Sequence, residues 1–145
     1  MLKKIIFAFL LLCILPVQAQ DFASVEIETV SINDNFHVLY GAGGNIGVFV
    51  GADSLIMVDS QFAPLSERIS NAVERISGAP IKFVINTHWH GDHTGGNGNF
   101  SADGAVIVAH EYVKRRMSME VFLPLYNSRA LPSPTGALPT VTFMH

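Results

Sequence analysis

Apolar and polar positions alternate from Val25 to Ile32 (Val-Glu-Ile-Glu-Thr-Val-Ser-Ile), which predicts a half-buried strand. Asn33-Asp34-Asn35 is a turn signal, and Phe36 to Tyr40 predicts a second strand. A glycine-rich turn, Gly41-Ala42-Gly43-Gly44-Asn45, follows. The short apolar runs Ile46–Val50 and Leu55–Val58, joined by Gly51-Ala52-Asp53-Ser54, predict a tight hairpin of well-buried strands. After Asp59 the period changes. Leu65, Ile69, Val73 and Ile76 recur at helical spacing with Ala72 on the same face, between Pro64 at the first turn and Gly78 at the end. Ile81–Ile85 predicts a strand, Asn86–Asn99 a polar, glycine-rich loop, Ala105–Ala109 a strand and His110–Glu120 a charged helix. Pro124, Pro132, Pro134 and Pro139 interrupt a stretch of little periodicity before Val141–Phe143 begins another strand. This order of strands and helices, without an internal repeat, predicts sheet and helix packed in layers, an α+β class.

The first nineteen residues stand apart. Lys3 and Lys4 precede an apolar run from Ile5 to Leu15, and Val17-Gln18-Ala19 offers a cleavage site. That is the pattern of a secretory signal peptide over residues 1–19. The run is short for a bilayer span, which needs roughly 20 apolar residues. An uncleaved anchor is the alternative. A lipoprotein signal fits less well, because Cys13 lies inside the run behind bulky Leu12. The expected location is therefore periplasmic or secreted, with no stable membrane insertion after cleavage. Cleavage leaves seven of the nine basic residues against twelve acidic ones, a net −5, and no cysteine. Disulfides and thiolate ligands are then excluded. The acidic balance and the lack of a basic stripe speak against a nucleic-acid partner.

Chemistry concentrates in Asn86-Thr87-His88-Trp89-His90-Gly91-Asp92-His93-Thr94-Gly95-Gly96-Asn97, where three of the six histidines fall within six residues beside an aspartate. Positions i and i+2 of an extended segment point the same way, so His88 and His90 can address one ion. Gly91 frees the chain to turn, and Asp92 and His93 can then face a second ion or share the first. Imidazole nitrogen with carboxylate oxygen suits zinc, with iron or manganese behind it; magnesium prefers oxygen alone. Trp89 and Phe62 are candidates for a substrate pocket, though packing explains them better. Arg115 and Arg116 read as a solvated helix face. Gly41, Gly43 and Gly44 read as a turn, since no helix follows to make a nucleotide fingerprint.

The run His88-x-His90-x-Asp92-His93 resembles the signature motif of the metallo-β-lactamase superfamily. Its flanks, Asn86-Thr87 and Thr94-Gly95-Gly96-Asn97, are similar too. Val58-Asp59-Ser60 resembles the family's earlier aspartate position. The resemblance covers roughly residues 25 to 143. It implies an αββα sandwich of which about the amino-terminal half is present, so residues 20–145 are expected to be the amino-terminal part of a truncated domain. It assigns His88 and His90 to a first zinc, Asp92 and His93 to a second, and Asp59 to steadying the loop without touching metal. Having both Asp92 and His93 resembles the glyoxalase II, lactonase and subclass B3 β-lactamase side of the superfamily. Further ligands downstream in that family have no counterpart here. His110 sits too early and reads as structural, and the terminal His145 has no flanking motif. The implied activity is hydrolysis of a small ester, thioester, lactone or β-lactam by water activated between two zinc ions, with Asp92 orienting the nucleophile or handling its proton. An iron-loaded oxidoreductase and a non-catalytic metal-binding module are the alternatives. With four of the expected ligands, the chain by itself is expected to bind metal weakly and to be nearly inactive.

Overall fold

A computed structural model describes residues 21–145; the signal-peptide reading falls on residues outside that range. Nine strands and four short helices follow one another: β1 (Glu28–Asn33), β2 (Phe36–Tyr40), β3 (Ile46–Val50), β4 (Leu55–Val58), α1 (Ser66–Ile76), β5 (Ile81–Asn86), α2 (Gly91–Thr94), α3 (Asn97–Ala102), β6 (Val106–His110), α4 (Glu111–Met117), β7 (Val121–Leu123), β8 (Ser128–Ala130) and β9 (Val141–Phe143). Seven strands form one mixed sheet in the order β1-β2-β3-β4-β5-β6-β9, and β7 and β8 make a separate hairpin. β1 to β4 pair antiparallel, whereas β5, β6 and β9 add on in parallel. The antiparallel part follows from its tight turns, such as the one pairing Val50 with Leu55. The parallel part follows from its helical crossovers, and α1 and α3 pack into one core on the same side of the sheet, as right-handed crossovers require.

That side holds the core. Leu39, Ile46, Val48, Leu55, Met57, Val84 and Ile107 from the strands pack with Leu65, Ile69 and Ala72 around α1 and with Phe100 of α3. The alternate strand positions point to the other face. Phe36, Val38, Ile56, Val58, Phe83, Ile85, Val106 and Val108 are only partly covered there, and Phe49, Val141 and Phe143 are exposed. An apolar sheet face of this extent is the kind that layered folds cover with a second layer.

Three expectations need correction. β1 begins at Glu28 rather than Val25, and all six of its residues are exposed. It is the sheet's edge, paired only with β2, so its alternating pattern meets no helix on either side. Val25 and Ile27 instead pack against the core before the strand begins, while Arg68 donates to the carbonyls of Phe22, Ala23 and Val25. The Asn86–Asn99 stretch is not a plain loop, because α2 and α3 occupy it. The charged helix is shorter than predicted: His110 ends β6 and caps α4, its side chain accepting from Tyr112 N at 3.1 Å. That is the structural part expected of His110.

Candidate metal centre

The site lies at the carboxy-terminal ends of β4 and β5, where parallel strands of an α/β arrangement present their loops. β4 runs into Asp59-Ser60-Gln61, and β5 into Thr87-His88-Trp89-His90. The second segment is bent rather than extended. Even so, His88 Nε2 and His90 Nδ1 face each other 3.1 Å apart. Gly91 is not a free hinge; it is the first residue of α2, and His90 precedes it in an extended conformation, with the His90 carbonyl accepting from His93 N and Thr94 N. The short helix turns His93 back, so that its Nε2 lies 3.4 Å from Asp92 Oδ2. The His93 ring also lies against that of His88, tilted by 53° with centroids 4.0 Å apart.

Asp59 is buried beneath this group. Its Oδ1 accepts from Thr87 N at 2.8 Å, and its Oδ2 from Thr87 Oγ1 at 2.7 Å and His93 Nδ1 at 2.8 Å. A carboxylate can only accept, so His93 carries a proton on Nδ1, and Nε2 is the ring nitrogen that faces Asp92. The Thr87 hydroxyl spends its proton on Asp59, so at 3.1 Å it accepts from His88 Nδ1. His88 Nε2 is thereby left bare toward His90. Burial, then the neighbouring His93 and His90, hold the His88 pKa below its usual value, which keeps the ring neutral at pH 7.

Among the described residues, no three His, Cys, Asp or Glu side chains converge on one metal position. The donors form two pairs instead. Two ligand atoms at about 2.0–2.1 Å from a tetrahedral zinc lie about 3.3 Å from each other. The separations here, 3.1 Å between two imidazole nitrogens and 3.4 Å between an imidazole nitrogen and a carboxylate oxygen, are close to that edge, and zinc accepts both donor types. The donor types and spacings of the two pairs would fit zinc, with His88 and His90 holding one ion and Asp92 and His93 another.

Several parts of the site were not singled out by sequence reasoning. Ser60 Oγ donates to Asn97 Oδ1 at 2.8 Å and lies 3.1 Å from the carbonyl of His93. Asn86 and Asn97 exchange amide hydrogen bonds at 3.0 and 2.8 Å, and Asn97 Nδ2 also reaches Ala137 O. These buried groups pin the loop after the ligands. The glycines at 43 and 44 do more than turn. A Cβ on Gly43 would sit 2.5 Å from Asp92 Cβ, and one on Gly44 would sit 2.6 Å from His93 Nε2. Gly44→Ala is expected to displace the His93 ring and to destabilise the fold by about 1–3 kcal/mol. Thermal melting checks this, and an unshifted midpoint would mean that the close approach is not maintained.

Trp89 packs into a second apolar cluster with Ala109, Val113, Met117 and Leu138, which is the packing role expected of it. Its ring also lies 4.7 Å from that of His90, and Arg116 covers it at 5.8 Å, so Arg116 is not wholly a solvated face. Phe62 packs on the main core and against Phe22. His110 and His145 line a surface pocket with Tyr112 and Arg115, apart from the ligand loop. A cavity of about 560 Å³ beside Arg68 and Arg75 shares no residue with the histidine loop. No helix among the described residues is long and apolar enough to cross a membrane.

Residues 39–143 match the metallo-beta-lactamase superfamily, and the chain belongs to that family. An N-acyl homoserine lactonase of Bacillus sp. is 29% identical over 113 residues, covering 72% of this chain and 44% of the relative. A hydroxyacylglutathione hydrolase of Polaromonas sp. (strain JS666 / ATCC BAA-500) is 41% identical over 56 residues, 38% of this chain and 21% of that protein. Among solved structures, BJP-1, a subclass B3 metallo-beta-lactamase of Bradyrhizobium japonicum, superposes with a TM-score of 0.67 at 21% identity, covering 85% of this chain and 47% of the other. The chain thus spans under half the length of the lactonase and the β-lactamase. Its α+β fold is the family's, and the half-covered sheet face is the one an αββα sandwich buries.

Proposed function

We propose that this chain supplies the metal-binding motif of an exported zinc-dependent hydrolase acting on a small ester, thioester, lactone or β-lactam. The reading rests above all on the two donor pairs, whose 3.1 and 3.4 Å separations suit tetrahedral zinc. His88 and His90 would hold one ion, Asp92 and His93 a second. Zinc bound there supplies Lewis acidity and a nucleophile from water near neutral pH. The chain's own residues do the rest. Asp59 and Thr87 hold the His88 and His93 rings in the ligating tautomer, and the Gly43-Gly44 backbone closes one wall. Asp92, the more exposed member of its pair, accepts a proton or a hydrogen bond from the attacking water. The family's hydrolases and the small-molecule lactonase among the relatives supply the reaction class. Export rests on the amino-terminal Lys3-Lys4 and Ile5–Leu15 pattern.

The test is elemental analysis of the purified protein after loosely held metal is removed, followed by a screen of ester, thioester, lactone and β-lactam substrates. About two zinc ions on any longer form carrying the same residues and fewer on this chain, with hydrolysis by the longer form, is the expected result. Iron in its place would move the reading to an oxidoreductase, and no metal on either form would overturn it.

A further inference from the structure

Asp92 and His93 rest on the bare backbone of Gly43 and Gly44, so the position of that turn decides where those two side chains can sit. The turn hangs between β2 and β3 and has no backbone ladder of its own. One side chain reaches it from below. Gln61 is fully buried, and its Nε2 donates to the Gly44 carbonyl at 2.5 Å. On its other side the Gln61 carbonyl accepts from Gly96 N at 2.9 Å, just past the ligand loop. One residue therefore spans the glycine turn and the segment that follows the ligands.

The arrangement is costly at every point. Gln61 has φ +49°, in the left-handed region that favours glycine, two residues after Asp59 at φ +66°. Its Oε1 is buried without a hydrogen-bond partner. Its amide fills the space above Gly41, where a Cβ would lie 2.6 Å from Oε1. On backbone grounds glycine suits this position better, and on burial grounds so does an apolar side chain. Strain of this kind, held in place beside a cluster of ligands, points to a positional role.

We propose that Gln61 is a positioning residue: through Nε2 it latches the Gly43-Gly44 turn against Asp92 and His93 and so sets the geometry of that donor pair. The latch stands on its own geometry, while its consequence for metal rests on the zinc-site reading above.

Two variants separate this role from ordinary packing. Gln61→Gly removes the latch and relieves the left-handed backbone, and Gln61→Met keeps the length but removes the donor. Amide hydrogen exchange of residues 41–45 is expected to quicken by about tenfold or more in both, while the Gln61→Gly midpoint of thermal unfolding stays at or above the parent's. Unchanged exchange overturns the latch. Cobalt(II) titration, followed by visible absorption, then reads the donor pair. Both variants are expected to lose the part of the spectrum due to Asp92 and His93 while keeping the part due to His88 and His90. If the parent shows no cobalt band, the metal reading fails and exchange alone decides the latch. If exchange quickens but the spectra are identical, the positioning role is overturned while the metal reading stands. If Gln61→Met does not fold, Gln61→Gly carries the comparison.

Discussion

Asp59→Ala is expected to lower the free energy of unfolding by about 3–5 kcal/mol, as removing one partner from a buried charged network does. Three donors converge on this carboxylate: Thr87 N, Thr87 Oγ1 and His93 Nδ1. Without it, all three are left in a space that closes on them, and the alanine also inherits a backbone at φ +66°. A loss of this size is a large part of a small domain's roughly 5–15 kcal/mol. Urea denaturation measures it, and a loss under about 1 kcal/mol would show that the carboxylate is not the keystone of the loop. Asp59→Asn separates stability from chemistry. Asparagine keeps the shape and tolerates the left-handed backbone. Its Nδ2, however, would donate to His93 Nδ1 and drive the ring's proton onto Nε2, the nitrogen facing Asp92. The Asn variant is therefore expected to fold yet lose metal from the Asp92–His93 pair, which cobalt spectroscopy can follow.

The importance of Asp59 was legible before the fold, but only as a family position; its partners were not. The same division runs through the chain. Runs of apolar residues between turn signals located β2 to β5, and 3.6-residue spacing located α1, because those elements bury one face and the period records it. β1 shows where period misleads. Its alternation is as clean as that of any strand here, but the edge of a sheet is beyond the reach of the helix layer, so burial does not follow pattern. α2 and α3 were missed for the opposite reason. Glycine and asparagine have poor helix propensity, and these short turns exist because Ser60 and Asn86, from other elements, tie down Asn97 at the start of α3. The β7–β8 hairpin left no alternating signal in three-residue strands between prolines.

The candidate site divides likewise. Its four candidate donors lie within six residues, so spacing alone singled them out. The groups that aim them do not. Gln61 carries no local signature: nothing in Asp59-Ser60-Gln61-Phe62 announces that an amide will reach back to Gly44. A glutamine at a position needing positive φ becomes visible only when the backbone is known. Chemistry written in a contiguous motif can be read from sequence; chemistry supplied by supporting contacts needs the fold.

Replacing His88 and His90 together with Ala is expected to abolish the tighter metal binding, a loss of about 100-fold or more in affinity. The reasoning is geometric. His88 Nε2 and His90 Nδ1 are two nitrogens set about one tetrahedral edge apart, and Thr87 fixes the tautomer of His88. The second pair combines one nitrogen with the more exposed oxygen of Asp92, so it holds metal less firmly once the first pair is gone. The substitutions fall in a segment that is bent and partly solvated rather than in the core, so the fold should survive them. Circular dichroism and thermal melting verify that survival, and competition against a chromophoric chelator reads the affinity. Intact folding with undiminished zinc binding would transfer the site to other residues. Intact folding with binding lost would leave the His88–His90 pair as the anchor from which the rest of the centre is assembled, with Asp92 and His93 dependent on it for metal and on Asp59 for orientation.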